Sequence, residues 1–372
     1  MSRPPRVSAR LPDFPWDTLQ QARQRAAAHP DGIVDLSVGT PVDPTPPAVQ
    51  SALRDAADSP GYPTVWGTPA LRAAIIDYLE RRCHAVALED DCVLPTVGSK
   101  ELVASLPSQL GIGPGHTVLI PQLAYPTYAV GALLAGASVV ASESTLAVGP
   151  LDVPLVWLNS PANPTGRVLP PDHLRKVVAW ARERDAVVAA DECYFELGWD
   201  TEPVSVLDPA VNGGSLDNIL AVHSLSKRSN LAGYRAAFVA GDPRIVTELR
   251  EVRKHSGLMV AGPVQAAMCA ALADDAHVAE QRERYRDRRT VLRVALEVAG
   301  FRIDHSEASL YLWATRDEPC AETVAWLADC GILVAPGDFY GTAGDRHVRV
   351  ALTATDERAA AAAARLTSPP MP

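Results

Sequence analysis

The stretch "ILAVHSLSKRSNLAGYRAAFVAG", residues 219–241, joins two continuous apolar runs through a polar connection. Runs without polar alternation suit strands buried on both faces. Five more runs of this kind precede it: "CVLPT" (92–96), "TVLIP" (117–121), "ASVVA" (137–141), "PLVWLN" (154–159) and "AVVAAD" (186–191). Amphipathic stretches separate some of them. In "PPDHLRKVVAWARERD" (170–185) Leu174, Val177, Val178 and Ala181 recur at helical spacing, behind Pro and Asp at the start. Strands alternating with helices predict an α/β fold with a seven-stranded, mostly parallel, doubly wound sheet.

The pattern changes near residue 262. "GPVQAAMCAALADDAHVAEQRERYRDRRTVLRVALEVAG" reads as consecutive long helices, and "FRIDH", "LYLWAT", "ILVAPG" and "HVRVAL" read as short strands. A smaller α/β domain is therefore expected to follow the large one, with a long helix as the connection. The Pro-rich first 40 residues are expected to wrap onto it. The division is 41–284 for the large domain, and 1–40 with 285–372 for the small one. The alanine-rich run at 359–365 reads as a terminal helix, and "RERYRDRR" (282–289) as a solvated helix face.

The chain has 372 residues, 47% apolar and 21% charged, with a formal net charge of −10. An acidic chain repels phosphate backbones, so nucleic acid is not an expected partner. No apolar run reaches the length of a membrane span. "MSRPPRVSARLPDFPWD" lacks the apolar centre of a secretory signal, so a cytoplasmic location is expected. Six cysteines lie scattered without a CxxC pair or an accompanying His cluster, which predicts reduced thiols and no metal site.

The chemistry starts at Lys227, which lies among serines with Arg235 eight residues on. A lysine at a strand end can form a Schiff base with an aldehyde. Ser224 and Ser226 supply hydroxyls and Arg235 a fork of donors, a combination suited to a phosphate monoester. "TVGSKEL" (96–102) adds a turn and a helix start, where the N–H groups of Ser99 and Lys100 could face an anion or simply open a helix. Asp191 closes a buried run; it either caps the next turn or keeps a pyridine nitrogen protonated. Tyr194 and Asn163, of "NSPANPTG" (159–166), could each bond a ring oxygen. Tyr125, of "QLAYPTY" (122–128), offers either a stacking face or core packing. Together these groups describe pyridoxal 5′-phosphate.

"NSPANPTG", "DECY" and "SLSK" with the following Arg235 resemble the class I/II pyridoxal-phosphate aminotransferases of fold type I. The resemblance implies Lys227 as the Schiff-base lysine and proton carrier, and Asp191 as partner of the pyridine nitrogen. It implies Asn163 and Tyr194 at the ring oxygen, Tyr125 stacked on the ring, and Ser99, Lys100, Ser224 and Arg235 on the phosphate. "SVGTPVD" (37–43) resembles the family's segment that brings Gly39 to the substrate carboxylate. "HVRVALT" (347–353) resembles the segment whose arginine, here Arg349, grips the α-carboxylate. "GYPTVWGTPALR" (61–72) makes Tyr62 a residue that reaches a neighbour's phosphate, which implies a homodimer. "FPWDTL", "DGIVDLSVGTPVDP" and "GDFYG" with "HVRVALTATDER" are similar to actinobacterial succinyldiaminopimelate aminotransferases. That likeness implies glutamate as donor, N-succinyl-2-amino-6-oxopimelate as acceptor and a ping-pong reaction. In "VRKHSGLMVAGPVQ" (252–265), which resembles a segment that reaches the neighbour's active site in related aminotransferases, Lys254 or His255 could meet a distal carboxylate there, or sit on a solvated helix end.

Three other readings remain open. One is an aminotransferase for other amino acids, or a C–S lyase, on the same fold. Another is the ligand-sensing part of a transcription regulator, disfavoured because only about 35 residues precede the fold. The last is an α/β protein that binds no such cofactor.

Overall fold

The computed structural model describes residues 7–367. The first six residues of the expected N-terminal wrap lie outside that range. A short strand, β1 (Val34–Asp35), precedes β2 (Val93–Val97), β3 (Thr117–Ile120), β4 (Ser138–Ala141) and β5 (Leu155–Asn159). Then come β6 (Val187–Asp191), β7 (Ile219–Ser224) and β8 (Ala236–Gly241). Each of the seven apolar runs is one strand of a single sheet, in the order β2-β8-β7-β6-β5-β3-β4. β8 runs antiparallel to both of its neighbours, and the remaining pairs are parallel. Helices cover both faces, which is why the central strands carry no polar alternation. The helix Pro171–Arg182 buries Leu174, Val177, Val178 and Ala181, together with Trp180.

A second layer of strands follows: β9 (Arg302–Asp304), β10 (Tyr311–Thr315), β11 (Ile332–Leu333), β12 (Ala335–Pro336) and β13 (Val348–Ala351). Four of them form a sheet in the order β12-β13-β10-β9, while β11 pairs with β1. Through that parallel pairing Val34 lies opposite Ile332, and the chain before residue 40 is tied to this end of the molecule. Val34 and Leu36 join its core with Leu312, Leu327 and Val350. The helix Ala276–Val298 links the two layers, and the expected boundary at 284–285 falls inside it. The alanine-rich run lies in the helix Asp356–Thr367.

The solvated face expected at 282–289 is corrected. Glu283, Arg284 and Asp287 are exposed, but Tyr285, Arg288 and Arg289 are buried. Arg288 grips both oxygens of Asp43 at 2.7 and 2.8 Å and donates from Nε to Asp356 at 2.6 Å. One helical face turns inward, and its arginines stay charged because carboxylates from distant segments meet them. Among the described residues, no helix is long and apolar enough to cross a membrane.

Candidate active site

Six strand-end or loop segments converge at the C-terminal edge of the large sheet, where ligands of such sheets bind. They enclose a cavity of about 480 Å³. Gly39, Ser99, Lys100, Tyr125, Asn163, Asp191, Tyr194, Ser224, Ser226, Lys227, Arg235 and Arg349 all line it. Tyr62 does not; it stands on the surface of the same chain, 96% exposed. Lys254 and His255 lie on the last turn of the helix Pro243–Ser256, away from the cavity, and Lys254 bonds Glu251 at 2.6 Å.

Asp191 ends β6 and is buried. Its Oδ1 accepts from the Cys193 N–H at 3.1 Å and its Oδ2 from the Tyr128 hydroxyl at 2.7 Å. Burial raises its pKa above the usual carboxylate value, against the pull of those two donors. No lysine or arginine among the described residues pairs with it. By contrast, Glu101 meets Arg253 at 2.7 Å and Glu196 meets Arg82 at 2.7 Å. A buried carboxylate without a cation is costly and suits a site that receives a cationic group.

The cations show the reverse pattern. Arg349, on β13, is buried. It donates from Nη1 to Asn163 Oδ1 at 2.8 Å and from Nη2 to the Ser37 carbonyl at 2.7 Å, and its Nε has no partner. Its guanidinium lies 4.0 Å from the centre of the Tyr311 ring and 5.0 Å from that of Tyr340. No carboxylate among the described residues pairs with it. Lys227 follows β7 and donates to the Gly39 carbonyl. Burial, the largest influence, moves its pKa below the ordinary lysine range; Tyr311 opposes this and Arg349 reinforces it.

At the open end, Arg235 has left-handed backbone (φ 56°) and lies against Gly98, where a Cβ would collide with its guanidinium. Gly98 itself is left-handed (φ 78°) and opens the helix Ser99–Gln109. Free backbone N–H groups at that helix start face the same space. Ser224 Oγ and Ser226 Oγ stand 2.9 Å apart. Lys100 is held below its usual pKa, first by partial burial and then by Arg235. Buried Arg253, bonded to both oxygens of Glu101, fixes this helix from behind.

The residues present fit pyridoxal 5′-phosphate. They offer a carboxylate without a cation, a cup of hydroxyls and cations without an acid, and an amine between them. Tyr125 lines the same space, its phenol pushed up to about 12 mainly by burial, with the Asp191 charge adding to this.

Several lining residues escaped the sequence reading. Tyr311, on β10, bonds the Tyr194 hydroxyl at 2.9 Å. Strand register could have pointed to it, since Trp313 pairs with Arg349 and Tyr311 shares the face of Trp313. Tyr128, three residues after Tyr125 in the same motif, does not line the cavity but touches Asp191, which does. Phe14, Trp16 and Arg23 reach the mouth from the N-terminal segment; the first two lie in "FPWDTL", whose likeness gave them no place in the site. Cys83, Glu192 and His223 come together beneath the site, their potential ligand atoms within 4.8 Å of one another. Glu192 there accepts from Ser205 Oγ at 2.7 Å and from the Val206 N–H at 2.8 Å.

Comparison with known proteins follows the same lines. Residues 31–366 match the family model "Aminotransferase class I and II". The chain is 61% identical over 361 residues to a probable aminotransferase of Mycobacterium tuberculosis, covering 97% of this chain and 86% of that one. It is also 61% identical over 357 residues to the 4-dedimethylamino-4-oxo-anhydrotetracycline transaminase of Streptomyces rimosus, covering 96% and 99%. A solved structure of a probable N-succinyldiaminopimelate aminotransferase from Thermus thermophilus superposes with a TM-score of 0.86 at 26% identity, covering 95% of this chain and 100% of that one.

Proposed function

This chain belongs to the class I and II aminotransferases, which work with pyridoxal 5′-phosphate, and on that premise we propose that it moves the amino group of glutamate to N-succinyl-2-amino-6-oxopimelate. The observation that carries an acidic substrate is a surplus of positive charge. Arg23, Lys100, Lys227, Arg235 and Arg349 line the cavity, and Asp191 is the single acid among the lining residues. A phosphate and an α-carboxylate account for part of this. Arg23, exposed at the mouth and paired with Asp35 at 2.8 Å, remains for a distal carboxylate. The Thermus thermophilus neighbour's name agrees with this reading.

When bound, pyridoxal 5′-phosphate supplies a ring that takes up the electron pair left by the breaking Cα–H bond. Ser99, Lys100, Ser224, Ser226 and Arg235 would hold its phosphate, Asn163 and Tyr194 would meet its ring oxygen, and Tyr125 would stack on the ring. Arg349 grips the α-carboxylate beside the Gly39 backbone and orients the substrate. Lys227 Nζ, whose pKa burial lowers, takes the Cα proton and gives it back on the far side of the transfer.

A second reading rests on the Streptomyces rimosus relative and on aromatic groups at the mouth. Phe14 and Trp16 stand 5.5 Å apart there, and Lys100 lies 5.3 Å from the Phe14 ring centre. Such a wall suits a flat polycyclic ketone. One experiment separates the two. The pyridoxamine form is mixed with candidate oxo compounds, and the visible band of the lysine-bound cofactor is followed. The first reading expects fast return with 2-oxoglutarate and the succinylated oxo acid, and slow return with pyruvate. Fast return with a 4-oxo-anhydrotetracycline and none with the succinylated acid would favour the second.

Tyr62 supports a homodimer with shared sites. A tyrosine 96% exposed on one chain suits a surface that another copy covers. Sedimentation is expected to show two chains per particle. Mixing inactive Lys227→Ala chains with inactive Tyr62→Ala chains is expected to restore part of the activity. A fully active single chain would refute the assembly.

A further inference from the structure

Asp191 is placed by a residue to which the sequence reading gave no role, the last one of "QLAYPTY". Tyr128 sits in the first turn of the helix Thr127–Ala135 with no exposed surface. Its ring stacks on Trp157, centroids 4.8 Å apart and planes 17° from parallel, and meets the Tyr125 ring edge-on at 5.7 Å. This packing aims the hydroxyl at Asp191 Oδ2, 2.7 Å away. Buried Glu196 is held by Arg82, while buried Glu192 is held by Ser205, the Val206 N–H and His223. Asp191 is held by a phenol and a backbone N–H, both uncharged. Neutral donors steady the anion without cancelling it, so its charge stays available to the cavity.

We propose that Tyr128 is a positioning residue: acting through Asp191, its phenol keeps a proton on the ring nitrogen of bound pyridoxal 5′-phosphate. This rests on the reading that Asp191 faces that nitrogen. Without the phenol the carboxylate is a poorer anion. The proton then moves from the ring nitrogen to the carboxylate, leaving a neutral pair and a weaker electron sink. Tyr125 and Cys193 flank Asp191, His223 stands on the adjacent strand, and Lys227 lines the same cavity. All of them persist in a Tyr128 variant, so a difference from the parent reports the phenol.

The test uses cofactor carrying nitrogen-15 in the ring, bound to the parent, to Tyr128→Phe and to Trp157→Phe, and read by NMR at neutral pH. The parent is expected to show a protonated nitrogen. In Tyr128→Phe the resonance is expected to move toward the unprotonated form, the charged and neutral pairs rebalancing by roughly ten- to hundredfold, as for one hydrogen bond to a charge. The rate of Cα deprotonation with glutamate falls in proportion, with little change in KM. Trp157→Phe keeps the phenol and is expected to keep the parent resonance. An unmoved resonance in Tyr128→Phe overturns the proposal, and so does an equal displacement in both variants, which would mark plain packing. Should Tyr128→Phe not fold, ring-fluorinated tyrosine at position 128 replaces it. That stronger donor must move the resonance toward more complete protonation, and a shift the other way overturns the proposal. An unprotonated nitrogen in the parent overturns the Asp191 reading itself, and this inference with it.

Discussion

Lys227→Ala is expected to fold, to bind pyridoxal 5′-phosphate without a covalent link, and to lose transamination almost entirely. The amine lines the cavity between the phosphate cup and Arg349, hydrogen-bonded to the Gly39 carbonyl. Burial lowers its pKa, so it sheds its proton at a lower pH than an ordinary lysine and is ready as a base. Loss of general-base catalysis alone costs roughly 10²–10⁴-fold, and loss of the covalent link adds to it. The chain has only three other lysines, Lys100, Lys176 and Lys254. Of these only Lys100 also lines the cavity, and it is exposed at its open end. Single-turnover absorbance with glutamate measures the effect. Borohydride reduction followed by peptide mass analysis is expected to place the cofactor on Lys227 in the parent and nowhere in the variant. Near-parent turnover would remove Lys227 from the mechanism.

Asp191→Asn is expected to act in opposite directions on activity and stability. A neutral amide cannot serve as counter-charge to a protonated ring nitrogen, so deprotonation with glutamate falls by roughly 10²–10³-fold, the scale of losing one preorganised electrostatic contact. The cofactor-free protein, however, loses a buried carboxylate that no lysine or arginine among the described residues neutralises. The folded pKa of Asp191 is raised, mainly by burial. A carboxyl raised on folding destabilises the native state above its unfolded pKa, and the penalty is relieved as pH falls. The amide removes that penalty, so thermal melting of cofactor-free Asp191→Asn at neutral pH is expected at or above the parent temperature. A structural Asp191 predicts the opposite: a lower melting temperature with deprotonation unchanged.

Much of this site was legible along the chain because its parts are strand ends. In an α/β sheet the residue after a buried run is carried to one edge, so Asp191, Ser224 and Lys227 advertise their place through the apolar residues before them. "NSPANPTG" is legible for a related reason. Asn159 ends β5, and its side chain receives the Asn163 N–H at 2.7 Å and donates to the Asp191 carbonyl at 2.9 Å, so the motif closes on itself. Tyr128 was in plain view in "QLAYPTY", but its role depends on which way the helix turns, and Trp157 decides that.

What the sequence by itself determined is the set of seven strands, the cofactor chemistry at their ends and the arginine on the last strand. Those features are written in local apolar runs, which the sheet buries in its inner strands and leaves partly exposed at the edge strand β4. Only the tertiary structure decided that Arg288 and Arg289 turn inward, that Cys83 meets Glu192 and His223, that Tyr311 lies against Arg349, and that Phe14, Trp16 and Arg23 form the mouth. Each of these joins residues far apart in the chain. A charged or aromatic side chain has no preferred depth of its own, and it is buried or exposed according to whether a distant segment brings the partner that satisfies it.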